Sequence, residues 1–171
     1  MKFLLFLVIL AAAAYFAPSP LAHVEQSIEI AASRDRVWTV AGDITSARIW
    51  DPAMKDMKVV SDQKTDVGAV RTAPGALAKT TETVREWVTY NRMVFDVTHD
   101  PAVTKFETST ITIEPGTDSG TKVTWMLDYQ MAGGYLGQFA DKFLLGSLHE
   151  GRVSDGLPRL KRFVETGESP I

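Results

Sequence analysis

The side chains with chemical reach are few. The chain has 171 residues with three histidines and no cysteine, which removes thiol nucleophiles, thiolate metal ligands and disulfides. His23, His99 and His149 lie far apart along it, His99 at a strand end in "VTHDP" and His149 in a helical stretch. Asp96, His99 and Asp100 are close enough in sequence to suggest a proton-transfer pair. Acid/base catalysis, however, needs groups held within hydrogen-bond reach of a substrate, and neighbouring carboxylates at a strand end are usually solvated. "HEGR" lacks the second histidine one turn on that a zinc-protease pair requires, and no other His, Asp or Glu spacing suggests a metal site. "GTDSGTK" leads into a strand, whereas a phosphate cradle opens a helix. The expectation is therefore no catalytic constellation, no metal and no cofactor.

More informative are polar residues on strand faces that should be apolar. "TKVTWMLDYQMA" puts Val123, Trp125, Leu127, Tyr129 and Met131 on one face and Lys122, Thr124, Asp128 and Gln130 on the other, so one face is buried and one wet. In the preceding strand the parity of Ile111 and Ile113 carries Ser109 and Glu107 inward as well. Either Arg85 or Glu86 intrudes in the same way on "AKTTETVREWVTY", where Val84 and Val88 argue for one parity and Trp87 for the other. Buried polar groups of this kind need protein, water or a ligand headgroup as partner.

These positions are set by a recognisable order of elements. "HVEQSIEIAA" reads as a strand. "SRDRVWTVAGDI" reads as a helix, with Ser33 as N-cap and Val37, Trp38, Val40 and Ala41 at helical spacing, and "SARIWDPAM" as a short second helix stopped at Asp51-Pro52. Six strand-like runs follow: "DMKVVSDQ", "GAVRTA", "AKTTETVREWVTY", "MVFDVTHD", "TKFETSTITIEP" and "TKVTWMLDYQMA". The short separators make hairpins and hence an antiparallel meander, with Asn91 tolerating the left-handed backbone of the tight "YNRM" turn. After a Gly pair, Leu136, Phe139, Phe143 and Leu144, continued by Leu157, Leu160, Phe163 and Val164, form an amphipathic helix. Pro158, after Gly156, is expected to kink or split it, and Gly146 and Gly151 to weaken it.

This order resembles the helix-grip or START-like (SRPBCC) superfamily, which includes polyketide cyclases, pollen-allergen-like proteins and lipid transfer domains. "VEQSIEIAASRDRVWTVAGDITSARIWDP" is similar to its opening strand, its "S-x-x-x-V-W" helix start and its "W-x-P" second helix. In "GTKVTWMLDYQMAGGYLG", Gly120, Thr121, Val123, Thr124, Trp125 and Tyr129 match a "G-T-x-V-T-W-x-x-x-Y" string. The resemblance spans Val24 to Val164. It departs at Gly151, Gly156 and Pro158, which interrupt a helix that members keep continuous. It implies an α+β helix-grip fold: a curved antiparallel sheet of about seven strands wrapped on a long C-terminal helix, with two short helices after the first strand. Between sheet and helix the fold implies an apolar cavity. The candidate wall is Trp125, Tyr129, Met131 and Phe106 or Glu107 from the sheet, with Phe139 and Phe143 from the helix; Glu107, Tyr129 or Arg85 would orient a ligand's polar end.

The chain opens "MKFLLFLVILAAAAYFAPSPLAH". No charge occurs from Phe3 to Ala17, and Lys2 supplies the positive flank of an export signal. As a helix this run is about 22 Å long, short of the roughly 30 Å hydrocarbon core. Residues 1–22 are read as a cleaved signal peptide or a retained anchor using Phe3, Leu4, Phe6, Ile9 and Tyr15, and residues 23–171 as one START-like domain, outside the cytoplasm and in the periplasm or tethered to the inner membrane. Lys and Arg number 18 against 21 Asp and Glu, a net charge of −3, which argues against nucleic acid. Three functions follow: binding of a hydrophobic or amphipathic small molecule, lipid or polyketide-like; a membrane-anchored accessory subunit of a larger membrane complex; and, more weakly, a cyclase-like enzyme.

Overall fold

The computed structural model describes residues 2–75, 77–142 and 146–169. An amino-terminal helix α1 (Lys2–Phe16) precedes β1 (Ala22–Ile30), α2 (Arg34–Ala41) and α3 (Ala47–Trp50). Then come β2 (Lys58–Val59), β3 (Val70–Ala73), β4 (Lys79–Val88), β5 (Arg92–Asp100), β6 (Thr104–Pro115), β7 (Thr121–Met131), α4 (Gly134–Ala140) and α5 (Gly146–Thr166). The seven strands form one antiparallel sheet in the order β1-β7-β6-β5-β4-β3-β2. Every neighbour is a meander hairpin except β1, which pairs with β7 from Ala22 opposite Tyr129 to Ile30 opposite Thr121. This is the helix-grip arrangement: α5 lies across the concave face and packs on β1 and β7.

The strand runs appear where alternation places them, apart from β2, which pairs over two residues only. The N-cap at Ser33 accepts from the Arg36 amide, 3.4 Å away. Two bulges interrupt the register. Between Val84 and Glu86 the register of β4 against β5 shifts. Val84 and Trp87 then both face inward, opposite Phe95 and Met93, while Arg85 swings to the outer face and pairs with Asp96 at 2.9 Å. A second shift lies between Thr104 and Phe106, and from Phe106 onward the alternation is regular, so Glu107 faces inward opposite Tyr129, as the parity of Ile111 and Ile113 requires, and Phe106 stays exposed. A bulge adds one residue to one strand, and so reverses the parity beyond it. In the β4–β5 turn the left-handed residue is Tyr90 (φ 63°), not Asn91; its ring lies edge-on to Trp38, 6.0 Å away.

The carboxyl-terminal region also differs from expectation. α5 runs through Pro158 without ending. Pro158 is exposed, as is Ser154 one turn earlier, so the carbonyl that loses its amide partner can turn to water. Gly156 admits a neighbour: a Cβ there would lie 2.5 Å from the Trp125 ring. The glycine lets that ring lie against the helix backbone, where Trp125 also meets Trp50 edge-on at 5.4 Å.

The core beneath α5 contains a charged layer. Arg152 of α5 donates from Nε and Nη2 to Asp51, at 3.0 and 2.6 Å, and from Nη2 to Glu82 of β4 at 2.6 Å. Arg71 of β3 donates to the other oxygen of Glu82 at 2.8 Å and to the Ile44 carbonyl at 3.1 Å. Glu82 is 0% exposed. Burial alone would raise its carboxyl, yet the two guanidiniums hold it below the usual range. The two cations and two anions balance, and no buried side-chain polar atom among the described residues lacks a partner. The guanidiniums also lie over aromatic rings, Arg71 on Phe95 at 4.6 Å and Arg152 on Trp125 at 5.2 Å. Such a layer adds little net stability over an apolar core, but losing one member strands a buried charge.

Candidate functional site

The cleft lies at the open end of the sheet, where β1 and β6 begin and β7 ends. Among the described residues, ion pairs and Trp125 occupy the middle depth between sheet and helix, and a cleft opens towards α4 and the start of α5. It measures about 740 Å³ and is bounded by Tyr129 of β7, Tyr135 and Phe139 of α4, Asp141, Glu150 of α5 and the start of β1 at His23. Tyr135 and Phe139 expose their rings, Phe139 by 67%. The lining is thus aromatic on the helical side and polar at its base.

The base is a chain of contacts. The Tyr129 hydroxyl donates to both carboxylate oxygens of Asp141, at 3.1 and 3.3 Å. Burial and the Asp141 charge push the Tyr129 phenol up, keeping it protonated. Burial likewise raises the Asp141 carboxyl, against the Tyr129 hydrogen bond that lowers it. The Tyr129 ring stacks on His149 of α5 with centroids 4.3 Å apart. His149 Nε2 lies 3.5 Å from one oxygen of Glu107, and His99 Nε2 lies 2.8 Å from the other. His99 Nδ1 in turn meets Thr80 Oγ1 at 3.2 Å.

Glu107 is 3% exposed. Burial by itself would raise its carboxyl, but the hydrogen bonds and charges of His149 and His99 hold it at about 2. It is an ionised group in a nearly dry place, tolerable only because both oxygens have donors. The described residues hold no group of three or more His, Cys, Asp or Glu arranged to bind a metal.

Of the residues anticipated from the sequence, Tyr129 and Phe139 line the cleft, and Glu107 sits behind Tyr129 under the histidines. Met131 is buried next to them, against Gly137 of α4. Trp125 lies deeper at 1% exposure, donating its indole N–H to Ser109 at 2.9 Å. Arg85 is corrected to the outer face by the β4 bulge and Phe106 by plain alternation with inward Glu107, and Glu86 also turns outward, to Arg92. Phe143 lies outside the described residues. His99 and His149, set apart by sequence distance, are brought together on one carboxylate. The parity of Met93, Phe95 and Val97 carries His99 inward, which a strict period-two reading of β5 contains. Asp141, Thr80 and the charged layer around Glu82 lie outside the residues the sequence points to, although Arg71 and Glu82 carry the same period-two signal. The position of His149 follows only from how α5 docks.

The chain matches the family model described as polyketide cyclase / dehydrase and lipid transport over residues 22–165. Among solved structures it is similar to truncated norcoclaurine synthase from Thalictrum flavum, with a TM-score of 0.69, 12% identity, and coverage of 89% of this chain and 98% of that one. A protein of Thermus thermophilus gives 0.66 at 21% identity, covering 88% and 100%. An uncharacterised Bacillus thuringiensis protein gives 0.66 at 23% identity, covering 84% and 98%. At these identities the likeness is one of fold. No curated protein matches the chain.

Proposed function

Because the chain belongs to the polyketide cyclase, dehydrase and lipid transport family, we propose that it binds a lipid or polyketide-like amphipathic molecule in the cleft between β7, α4 and α5. The observation that carries this reading is the two-sided lining: the exposed rings of Tyr135 and Phe139 oppose the Tyr129–Asp141 pair, whose geometry is fixed from behind by His149 and Glu107. Apolar walls supply affinity through burial, and a few oriented polar groups fix the ligand's direction. The polar end is one that donates hydrogen bonds, because Asp141 and Glu150 present carboxylates on a lining that also holds Lys142. Family membership supports a hydrophobic ligand.

The domain acts outside the cytoplasm, a reading supported by the uncharged apolar run of α1 after Lys2. The test is binding of the neutral apolar fluorophore N-phenyl-1-naphthylamine. Saturable enhancement lost in Phe139→Asp supports the cleft; enhancement unchanged by that substitution removes it.

A second reading, acid/base catalysis, is favoured by one observation: a protonated phenol and a raised carboxyl share a hydrogen bond at the cleft base. Such a pair can give and take a proton at a bound carbonyl compound. Chemical conversion of a bound polyketide-like substrate, abolished by Asp141→Asn with binding retained, would establish it.

A further inference from the structure

α1 is apolar on every face. No charged residue lies between Phe3 and Ala17, and residues 3–13 are all exposed. A helix apolar all round is stable where hydrocarbon or a protein core surrounds it, and the domain leaves this one uncovered. A protein partner on one side would leave the other side in water, whereas a bilayer covers all sides. With 15 residues, α1 is about 22 Å long, and no described helix is long and apolar enough to cross a membrane. Entry from one surface is the geometry that fits.

The carboxyl end of α1 is seated on the domain and is no loose tether. Ser19 is 3% exposed, donates its hydroxyl to the Met131 carbonyl at 3.1 Å, and accepts on its own carbonyl from the Gln130 side chain. Gly133 and Gly134, where β7 gives way to α4, take φ of +80° and +58°. A Cβ on Gly134 would collide with the carbonyl oxygens of Ala14, Tyr15 and Ala17, and one on Gly133 would lie 3.2 Å from the Tyr15 ring. The glycine pair thus makes the turn into α4 and admits the end of α1. Beside that junction α4 exposes Tyr135, Leu136 and Phe139, two of which rim the cleft. Apolar surface continues from α1 onto α4.

We infer that α1 and the exposed apolar face of α4 enter a lipid bilayer as one docked unit, holding the mouth of the cleft against the membrane surface. The partner is the lipid surface itself, and the attraction is apolar burial with no need of anionic headgroups. This goes beyond the ligand reading and is independent of it, because orientation on a membrane is read without reference to what the cleft holds.

The chain has no cysteine, so single labels can be introduced into the full-length protein through Phe139→Cys on α4 and Asn91→Cys in the β4–β5 turn at the far end of the sheet. Each labelled protein is mixed with neutral phosphatidylcholine vesicles carrying a quencher in the acyl chains. The full chain is expected to float with the vesicles even at roughly 1 M salt, where screening acts within about 3 Å. The label at position 139 should be quenched several-fold more than that at 91. Adding Gly134→Val should leave flotation intact and reduce quenching at 139 to the level seen at 91. If that variant shows no cooperative thermal transition, Ser19→Ala with Gln130→Ala takes its place, with the same expectation. Absence of flotation, equal quenching at the two sites, or undiminished quenching at 139 in a folded docking variant overturns the inference.

Discussion

Tyr129 stacks face to face on His149, with ring centroids 4.3 Å apart and planes within 12° of parallel. Through this contact the wall of the cleft rests on a buried ionised group, since His149 also reaches Glu107. A tyrosine held on one side by a ring and at its hydroxyl by Asp141 has little rotational freedom. That is the condition for a polar group to select a ligand's orientation at low entropic cost.

Removing only the hydroxyl tests that role. Tyr129→Phe keeps the stack and deprives Asp141 of its donor. It should leave binding of an apolar fluorophore within about twofold, and weaken an amphipathic amine by roughly 3- to 10-fold, about 1 kcal/mol. Paired calorimetric titrations check it; equal losses for both ligands would mean that the hydroxyl orients nothing.

Glu107 predicts a pH dependence. Its folded carboxyl, at about 2, lies below the ordinary value of 4.5. The group therefore contributes stability that is fully present above about pH 4.5 and is lost as pH falls towards 2, on the order of 3 kcal/mol. Glu107→Gln should be less stable than the parent at pH 6 and should flatten this part of the curve. Urea unfolding between pH 2.5 and 6 measures both; parallel curves for parent and variant would assign the acid sensitivity to other carboxylates.

Arg152→Met strands Asp51 and Glu82 without their shared guanidinium. A buried pair broken on one side costs about 3–5 kcal/mol, so the melting temperature should fall by roughly 10 °C or more. A scanning calorimetric trace settles the matter, and a change below about 2 °C would show that the two carboxylates find other partners.

The two α5 glycines should respond in opposite directions to alanine. At Gly156 the new methyl meets the Trp125 ring, and overpacking of a dense core costs about 1–3 kcal/mol. At Gly151 nothing lies within 4 Å, so higher helix propensity should stabilise by about 0.5–1 kcal/mol. Denaturant midpoints rank the two variants against the parent.

Much of this architecture is legible in the chain, because its signals are local. Period-two alternation locates β3 to β7, and Ser33 with Val37 and Trp38 locates α2. What local pattern lacks is the count of residues across a bulge: one extra residue near Arg85 lets Val84 and Trp87 both face inward, which strict alternation forbids. Sequence distance likewise conceals the meeting of His99 and His149, separated in the chain by β6, β7 and α4, on one side chain of β6. Glycine is ambiguous for a related reason. Gly156 reads as a helix breaker, yet in the fold it is the space a tryptophan ring occupies.

The most direct test of the cleft as a ligand site is photocrosslinking of the full-length protein with a diazirine-bearing fatty amine, followed by peptide mapping. Saturable labelling concentrated on Tyr135, Phe139 and the end of β7 around Tyr129, suppressed by excess unlabelled amine, is the predicted result. Labelling that does not saturate, or that falls on α1 and the outer sheet face while sparing those residues, would contradict it.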